Sequence, residues 1–242
     1  MSSSPNTLVV VPAFNEEQTI QPVISSLLRV GCRNVLVVDD ASSDNTAKLA
    51  AEAGAKVLRL CYQLGAWRAS QAGIRYAVAH DYDEVITFDA DGQHLPDSIA
   101  TLQSQRGTAD LIIGSCLARG SFLRKAAWRI FRLLSGIEVA DFTSGLRLYG
   151  ARSIELLAQE SASVPEYQDL GVLMLIKSSG LSIKEVPVQM SARSVGISRI
   201  FNSWGAVAYY LSYTICICLA KLGHTPHASL SDLSVARGRT SR

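Results

Sequence analysis

Residues 85–94 read Val85-Ile86-Thr87-Phe88-Asp89-Ala90-Asp91-Gly92-Gln93-His94, and this stretch decides the fold. The first four residues are strand formers, and they predict a short buried strand over 85–88. Two aspartates separated by one alanine follow directly, and a glycine then ends the pattern. Carboxylate oxygens at this spacing can bind one Mg²⁺ or Mn²⁺, which usually completes its coordination with water and substrate phosphates. The stretch therefore predicts a metal site at the carboxyl end of a buried strand.

Apolar runs and helical patterns alternate on both sides of this stretch. Further strands are predicted at residues 7–11, 35–38, 56–60, 111–113 and 183–188, and helices at residues 18–30, 43–53, 66–79, 96–105, 164–179 and 200–222. Ser43 is expected to cap the second helix, with Asp44 in its first turn. The alternation is typical of an α/β fold in which helices flank a mostly parallel central sheet. Ligands of such sheets bind beyond the carboxyl ends of the strands.

Pairs of acidic residues follow three of the predicted strands. They are Glu16 and Glu17 after the first strand, Asp39 and Asp40 after the second, and Asp89 and Asp91 after the fourth. Because parallel strands end at the same edge, we expect the pairs to converge there. Converging acids repel one another and destabilise the fold unless a cation or hydrogen-bond donors compensate. The alternative is that each pair only caps the following helix, and this alternative is strongest for the first pair.

The neighbouring residues extend the metal prediction and exclude other phosphate sites. Gln93 can add a carbonyl oxygen, and His94 is expected to hydrogen-bond a ligand, with direct coordination as the alternative. A calcium loop of the EF-hand type does not fit, because its last position would be Ala100 instead of glutamate. Residues 12–17 contain no glycine, which excludes a dinucleotide fingerprint, and residues 65–70 lack the lysine of a phosphate loop. Metal and arginine are therefore expected to bind phosphate.

The composition describes a folded chain that is apolar for a soluble protein. Of its 242 residues, 48% are hydrophobic and 18% charged, and the net charge of +2 is too small to indicate a nucleic-acid partner. The length fits one large α/β domain or two small ones. Five scattered cysteines form no metal-binding pattern and are expected to be buried and reduced, as in a cytoplasmic protein. The polar start of the chain shows no secretory leader.

Two segments of the second half suggest a membrane contact. Residues 119–134 carry five basic and no acidic side chains among large apolar ones. This pattern suits an anionic lipid surface, with a solvated helix face as the alternative. Residues 205–220 are apolar and uncharged but shorter than the roughly 20 residues of a spanning helix. We expect an apolar helix over 200–223 that lies in the membrane interface, packs on a second protomer or meets a membrane subunit, with a core helix as the alternative. A disordered tail is expected over 224–242.

Several segments, taken in this order, resemble family 2 glycosyltransferases, which have the GT-A fold. The segments are VVPAFNEE (10–17), VDDASSDNT (38–46), DADGQH (89–94), DFTSGLR (141–147), EVPV (185–188) and RSVGISR (193–199). The last three narrow the resemblance to the dolichol-phosphate mannosyltransferase and polyprenyl-phosphate glycosyltransferase branch. The resemblance runs from residue 8 to 199 and implies a catalytic domain over 1–199. Its nucleotide-binding half would be 7–115 and its acceptor half 116–199.

The resemblance implies three groups of site residues. The catalytic group is Asp91, Asp141 and Arg147, of which the last two border the acceptor. The metal group is Asp89, Asp91 and Gln93. The donor group lines the nucleoside pocket and clamps phosphates, and its members are Pro12, Phe14, Glu16, Val38, Asp39, Asp40, Ala90, Arg193 and Arg199. Cys116 stands where the mannosyltransferases usually carry arginine, and Arg119 is the candidate to replace that arginine.

The resemblance implies an inverting, divalent-cation-dependent enzyme on the cytoplasmic face of a membrane. The donor would be GDP-mannose or a UDP-hexose, and the acceptor a polyprenyl or dolichyl phosphate. A lipid phosphate is already anionic and needs no general base, whereas a sugar hydroxyl does. Two alternatives stay open. One is transfer to a saccharide hydroxyl, for which Glu166 and Asp169 are spare acids, and the other is a non-catalytic nucleotide-binding partner of another transferase.

Overall fold

The protein is described by a computed structural model over residues 5–116, 129, 132, 135–165, 169–191, 212, 213, 215 and 216. Within these residues a single sheet forms the centre, in the strand order β3-β2-β1-β4-β6-β5-β7. The strands are β1 (Thr7–Ala13), β2 (Val35–Asp39), β3 (Lys56–Arg59), β4 (Glu84–Thr87), β5 (Leu111–Ser115), β6 (Arg147–Tyr149) and β7 (Ile183–Pro187).

Most neighbouring strands are parallel, as the sequence predicts. β1 pairs in parallel with β2 and β4, β2 with β3, and β5 with β7. β6 lies between β4 and β5 and is antiparallel to both. Its first residue, Arg147, therefore lies beside Thr87 and Ile113, where the parallel strands end. The α/β fold with a mostly parallel sheet is confirmed.

Apolar cores cover both faces of the sheet. Successive residues of a strand point to opposite faces, so Leu8 and Val10 enter one core and Val9 and Val11 enter the other. The second core contains side chains from α1 (Ile20–Arg29), α2 (Thr46–Glu52) and α4 (Ser98–Gln103). The first contains side chains from α3 (Ala66–Ala79), α5 (Ala151–Leu157) and α6 (Leu170–Ser178). Burial on both faces explains why the strands are continuous apolar runs.

Several local predictions are wrong or incomplete. The second helix begins at Thr46 and not at Ser43, because the Ser43 amide donates to Asn15 on the neighbouring loop. Asp44 lies before this helix and accepts a hydrogen bond from the Thr46 amide. The helix predicted over 164–179 begins at Leu170. The sequence did not predict β6, α5 or the short 3-10 helix Glu160–Ser163.

The cysteines and the second-half segments are described in part. Cys61 and Cys216 are exposed, which contradicts the expectation of buried thiols, and the described cysteines form no disulfide with one another. Residues 212, 213, 215 and 216 are helical, as are Arg129 and Arg132. The rest of 119–134, of the apolar segment 200–223 and of the tail lies outside the described residues. Among the helices that are described, none combines the length and apolar character needed to cross a bilayer.

Candidate functional site

The segments that follow β1, β2 and β4 meet at one edge of the sheet, which we call the carboxyl edge. The Asp40 amide donates to the Ala13 carbonyl at 2.8 Å, and the Phe88 amide donates to the Val10 carbonyl at 2.9 Å. These backbone bonds keep the segments joined where the strands end. The predicted convergence of the acid-bearing segments is therefore confirmed.

The loops after β1 and β2 are hydrogen-bonded to each other. The Asn15 amide donates to Ser42 Oγ at 2.9 Å, and Asn15 Oδ1 accepts from the Ser43 amide at 2.8 Å. Asn15 has a φ of 50°, a left-handed conformation that asparagine adopts more readily than most residues. The Glu17 carboxylate accepts from the Asn45 amide at 3.2 Å. The two loops are thus one unit, in which Glu17 serves as an acceptor between loops.

Asp39 and Asp40 are both buried and both engaged by protein groups. Asp40 accepts hydrogen bonds from the amides of Leu64 and Gly65 at 2.7 and 2.8 Å, so it anchors the turn that starts α3. Arg59 at the end of β3 places its Nε 3.2 Å from Asp39 Oδ2. These contacts and the one at Glu17 compensate acidic charge without a bound cation. Of the two expected forms of compensation, protein donors therefore serve these three acids, and the metal prediction depends on Asp89 and Asp91.

Asp89 is held by His94. His94 Nε2 lies 2.9 Å from Asp89 Oδ2, and the histidine side chain is fully buried while the aspartate side chain is 37% exposed. His94 Nδ1 is buried and has no hydrogen-bond partner among the described residues. An ionised carboxylate can only accept, so His94 Nε2 donates to Asp89. The predicted hydrogen-bonding role of His94 is confirmed.

Asp91 and Gln93 form a turn that also contacts the chain after β7. The Gln93 backbone amide donates to Asp91 Oδ1 at 3.1 Å, and the left-handed φ of 72° at Gly92 permits the turn. The Ser191 amide donates to the Gln93 carbonyl at 2.8 Å, and His94 pairs with Met190 in an isolated antiparallel bridge. The metal motif is therefore supported from β4 and from the segment that follows β7.

Gly145 packs directly against the Asp89 carboxylate. A Cβ atom at position 145 would lie 2.1 Å from Asp89 Oδ1, so any larger residue there would have to displace the carboxylate. Thr87 Oγ1 fixes this approach by donating to the Gly145 carbonyl at 2.7 Å. The described residues contain no cluster of three or more histidine, cysteine or acidic side chains that could hold a metal. Two carboxylates and an amide oxygen nevertheless fit Mg²⁺ or Mn²⁺, which prefer oxygen ligands and keep positions for substrate.

Asp141 lies on the loop that leads into β6. It is 6% exposed, and its Oδ1 accepts hydrogen bonds from the amide and hydroxyl of Thr143 at 3.1 and 2.9 Å. Its own amide donates to the Glu185 carboxylate at 2.8 Å. No described residue donates to Oδ2, so one carboxylate oxygen of Asp141 keeps its capacity for another partner.

Arg147, which is predicted to border the acceptor, lies in the interior at the start of β6. Its side chain is fully buried, Nε donates to the Ser144 carbonyl at 2.9 Å, and Nη2 donates to the Phe142 carbonyl at 2.7 Å. Burial raises the pKa of the adjacent Tyr149, and the charge of the arginine opposes part of that rise. Arg147 therefore holds the loop that carries Asp141.

The predicted nucleoside contacts fall into two classes. Pro12, Phe14 and Glu16 are half-buried, so each presents surface at the carboxyl edge. Ala90 is 4% exposed, and Val38 is fully buried in the core. The Val38 side chain has no exposed surface, so its contact with the base, which stays a prediction, would involve the backbone.

Three predicted phosphate ligands and one spare acid lie outside the described residues. They are Arg119, Arg193, Arg199 and Glu166. Sequence reasoning also missed three contributors to the site, namely Arg59, Gly145 and Glu185. Gly145 left the clearest signal, because a glycine inside a polar segment indicates a close backbone approach.

A family model and two relatives match the chain over most of its length. The model described as glycosyl transferase family 2 matches residues 8–154. The undecaprenyl-phosphate mannosyltransferase of Micrococcus luteus is 32% identical over 213 residues, which cover 80% of this chain and 86% of that protein. The polyprenol monophosphomannose synthase of Mycolicibacterium smegmatis is 29% identical over 217 residues, which cover 81% and 82%.

Solved structures share the fold. The glucosyl-3-phosphoglycerate synthase of Mycobacterium tuberculosis, crystallised with Mn²⁺ and uridine-diphosphate-glucose, aligns with a TM-score of 0.68. The alignment covers 93% of this chain and 81% of that one at 20% identity. At this identity the likeness shows the fold alone.

Proposed function

Because the chain belongs to glycosyl transferase family 2 and is a glycosyltransferase, we propose that it transfers a sugar to a polyprenyl or dolichyl phosphate with inversion at the anomeric carbon. The donor is a nucleotide-diphosphate sugar, either GDP-mannose or a UDP-hexose. The names of two relatives that match along about four-fifths of the chain identify polyprenyl-phosphate acceptors for those proteins. Their similarity supports the same acceptor class here.

The donor site is built around the carboxyl end of β4. The observation that carries this proposal is the arrangement of Asp89, Asp91 and Gln93 in one turn, with Asp89 fixed by His94 and backed by Gly145. The carboxylates of Asp89 and Asp91 and the side-chain amide oxygen of Gln93 would hold Mg²⁺ or Mn²⁺. When bound, the cation offsets the negative charge that develops on the leaving diphosphate. The protein keeps its carboxylates oriented beforehand, so little reorganisation is needed during the reaction.

The donor nucleoside would lie against the interlocked loops after β1 and β2. Phe14, Pro12 and Glu16 present partly exposed surface there. Asp40 fixes the turn at residues 64 and 65, which borders the same edge. Hydrogen bonds between the loops limit their motion and thereby preorganise the pocket. Arg193, Arg199 and Arg119 are proposed to bind phosphates.

The acceptor would approach Asp141. A lipid phosphate is anionic at neutral pH, so the protein needs only to position it and to compensate its charge. The basic stretch 119–134 supports docking on an anionic membrane surface, on the cytoplasmic face. The apolar segment 200–222 is proposed to contact the membrane, a membrane subunit or a second protomer.

A second candidate is transfer to a saccharide hydroxyl, and one observation favours it. Such an acceptor needs a general base. Asp141 has a carboxylate oxygen to which no described residue donates. A third candidate, a non-catalytic nucleotide-binding partner, is disfavoured by the presence of both aspartates of the metal motif.

An activity assay with two kinds of acceptor distinguishes these candidates. Purified full-length protein is incubated with Mn²⁺ and a set of UDP- and GDP-sugars, with polyprenyl phosphate in one series and oligosaccharides in the other. Sugar on the lipid phosphate is the expected product, identified by mass spectrometry. Sugar found only on oligosaccharides would contradict the lipid acceptor, and nucleotide binding without turnover in either series would favour the non-catalytic candidate.

A further inference from the structure

Residues 140–147, the loop that leads into β6, are fixed along their whole length. Arg147 binds the carbonyls of Phe142 and Ser144 from the interior. The Ser144 hydroxyl donates to the Gly114 carbonyl of β5. Thr87 of β4 binds the Gly145 carbonyl. The loop is therefore attached to the two strands on either side of β6.

Glu185 of β7 fixes the start of this loop. One carboxylate oxygen accepts the Ala140 amide at 2.9 Å, and the other accepts the Asp141 amide at 2.8 Å. Hydrogen bonds to a charged acceptor are stronger than neutral ones, and two parallel bonds also fix orientation. Glu185 lies opposite Ile113 in the pairing of β5 with β7, so the sheet holds its backbone.

The contacts of Glu185 determine how Asp141 is presented. Glu185 fixes the Asp141 backbone, and Thr143 restrains rotation of the side chain through two bonds to Oδ1. Oδ2 has no donor among the described residues. The same loop reaches Asp89 four residues later, where Gly145 touches the carboxylate. One short, fully attached segment thus connects the acid of the acceptor half with the acid of the metal motif.

We propose that Glu185 is a positioning residue, which sets the place of Asp141 relative to Asp89 and so aligns the acceptor with the donor. This inference rests on the proposed function, in which Asp141 serves the acceptor. In this role Glu185 would need no contact with either substrate. It acts through the amides of residues 140 and 141.

The substitution Glu185→Gln tests this role. Glutamine has nearly the same size, but its NH₂ group would face an amide N–H that the carboxylate now accepts. We expect kcat to fall about 10- to 100-fold, since small misplacements at a reacting centre have effects of that size. The KM for the nucleotide sugar and the affinity for UDP with Mn²⁺ should stay within about twofold, because β4 holds Asp89 and Asp91. Glu138→Gln is the matched control, because it removes an exposed carboxylate three residues before Asp141.

A double-mutant cycle with Asp141→Asn separates positioning from general stability. If Glu185 acts through Asp141, Glu185→Gln will lower kcat in the wild-type background but have little further effect beside Asp141→Asn. Effects that multiply independently would overturn the proposal. So would an unchanged kcat in Glu185→Gln, or a kcat loss matched by an equal loss of UDP–Mn²⁺ affinity.

Hydrogen exchange of the same variants keeps the inference separate from the proposed function. Glu185→Gln should exchange faster at the amides of residues 140 and 141, while β1 and β4 stay protected and show that the variant is folded. Unchanged exchange at these two amides would overturn the positioning role even if no transfer is found. An inactive wild type with faster exchange in the variant would overturn the proposed function and leave the contact established. Should Glu185→Gln not fold, Glu185→Asp, which keeps the charge but shortens the side chain, is expected to give a partial loss of kcat under the same criteria.

Discussion

At the amino edge of the sheet, where the parallel strands begin, Glu84 and Asp110 each face an arginine. At the carboxyl edge, Asp40 accepts from two backbone amides, Asp141 accepts from the amide and hydroxyl of Thr143, and Asp89 is held by a histidine. Asp39 is the exception there, because it lies beside Arg59.

The pairs at the amino edge are complete within the protein. Arg106 Nε donates to both Glu84 oxygens at 2.9 and 3.0 Å, and its Nη2 donates to Thr7 Oγ1 at 2.9 Å. Glu84 and Arg106 thus satisfy each other and Thr7 within the fold. The carboxyl edge instead holds its acids in place while leaving oxygen at Asp141 and partly exposed surface at Asp89. The difference agrees with our proposal that the carboxyl edge carries the reaction, while the amino edge secures the fold, and the following predictions test that division.

The largest effect is expected at the metal motif. Asp91→Asn removes charge where the cation would bind, and we expect transfer to fall about 100- to 1,000-fold, as when a preorganised charge-stabilising group is lost. The melting temperature should change little, since Asp91 is only half-buried. Initial rates and thermal unfolding measure both. Asp97→Asn is the control, an exposed acid six residues further on, and equal activity losses in both variants would contradict the assignment.

The opposite result is expected at the amino edge. Arg106→Met leaves the nearly buried Glu84 without its cation, and breaking such a pair costs about 3 kcal/mol of unfolding free energy. Urea unfolding measures this loss, while kcat/KM should stay within about twofold below the transition. Lys48→Met is the matched control, because its pair with Glu52 is exposed, and a change below about 1 kcal/mol is expected. A loss of activity in the folded Arg106 variant would break the division between the edges.

A smaller effect is expected where Gly145, on the loop that leads into β6, packs against Asp89. Gly145→Ala places a methyl group against Asp89 Oδ1 and must displace the carboxylate. Changes next to metal ligands typically weaken metal affinity about 10- to 100-fold, and we expect the lower end of that range. Electron paramagnetic resonance of Mn²⁺ with UDP measures it. Gly150→Ala is the control, because its added Cβ would meet only an ordinary contact at 3.5 Å. A Gly145→Ala variant with wild-type Mn²⁺ affinity would show that the close packing of Gly145 on Asp89 does not affect metal binding.

The smallest effect concerns acid stability. Burial disfavours the charged form of Asp110, but hydrogen bonds from the Ser182 amide and hydroxyl, together with Arg152, lower its pKa overall. A lowered folded-state pKa gives stability that is present above the unfolded value of about 3.9 and lost as pH falls through the folded value. The difference in unfolding free energy between wild type and Asp110→Asn should therefore shrink below about pH 4. A difference that is constant from pH 6 to pH 3 would contradict the role of this carboxylate.

The parallel part of the fold was predictable because strands that are buried on both faces have uninterrupted apolar sequences. β6 was not, since it has three residues, begins with a buried arginine and pairs only with strands distant in sequence. The site divides in the same way. Asp89 and Asp91 follow a strand directly, so local sequence located them. Glu185 accepts hydrogen bonds from two amides more than forty residues away, and no local sequence pattern reveals this contact.

The sequence also could not show which protein groups compensate the negative charge of the acids at the carboxyl edge. Whether Asp40 repels its neighbours depends on which amides reach it, and those of residues 64 and 65 come from the turn between β3 and α3. The identity of the acids was therefore readable, whereas their electrostatic state required the tertiary structure.

Calorimetric titration of UDP and GDP into the wild-type protein tests most directly whether Asp89 and Asp91 hold a divalent cation against a nucleoside diphosphate. We predict binding at least about tenfold tighter with Mn²⁺ than with a chelator, the tenfold ratio corresponding to about 1.4 kcal/mol. The difference should disappear in Asp89→Asn and Asp91→Asn. Equal affinity with and without the metal in the wild type, or a metal effect that survives both substitutions, would contradict the account.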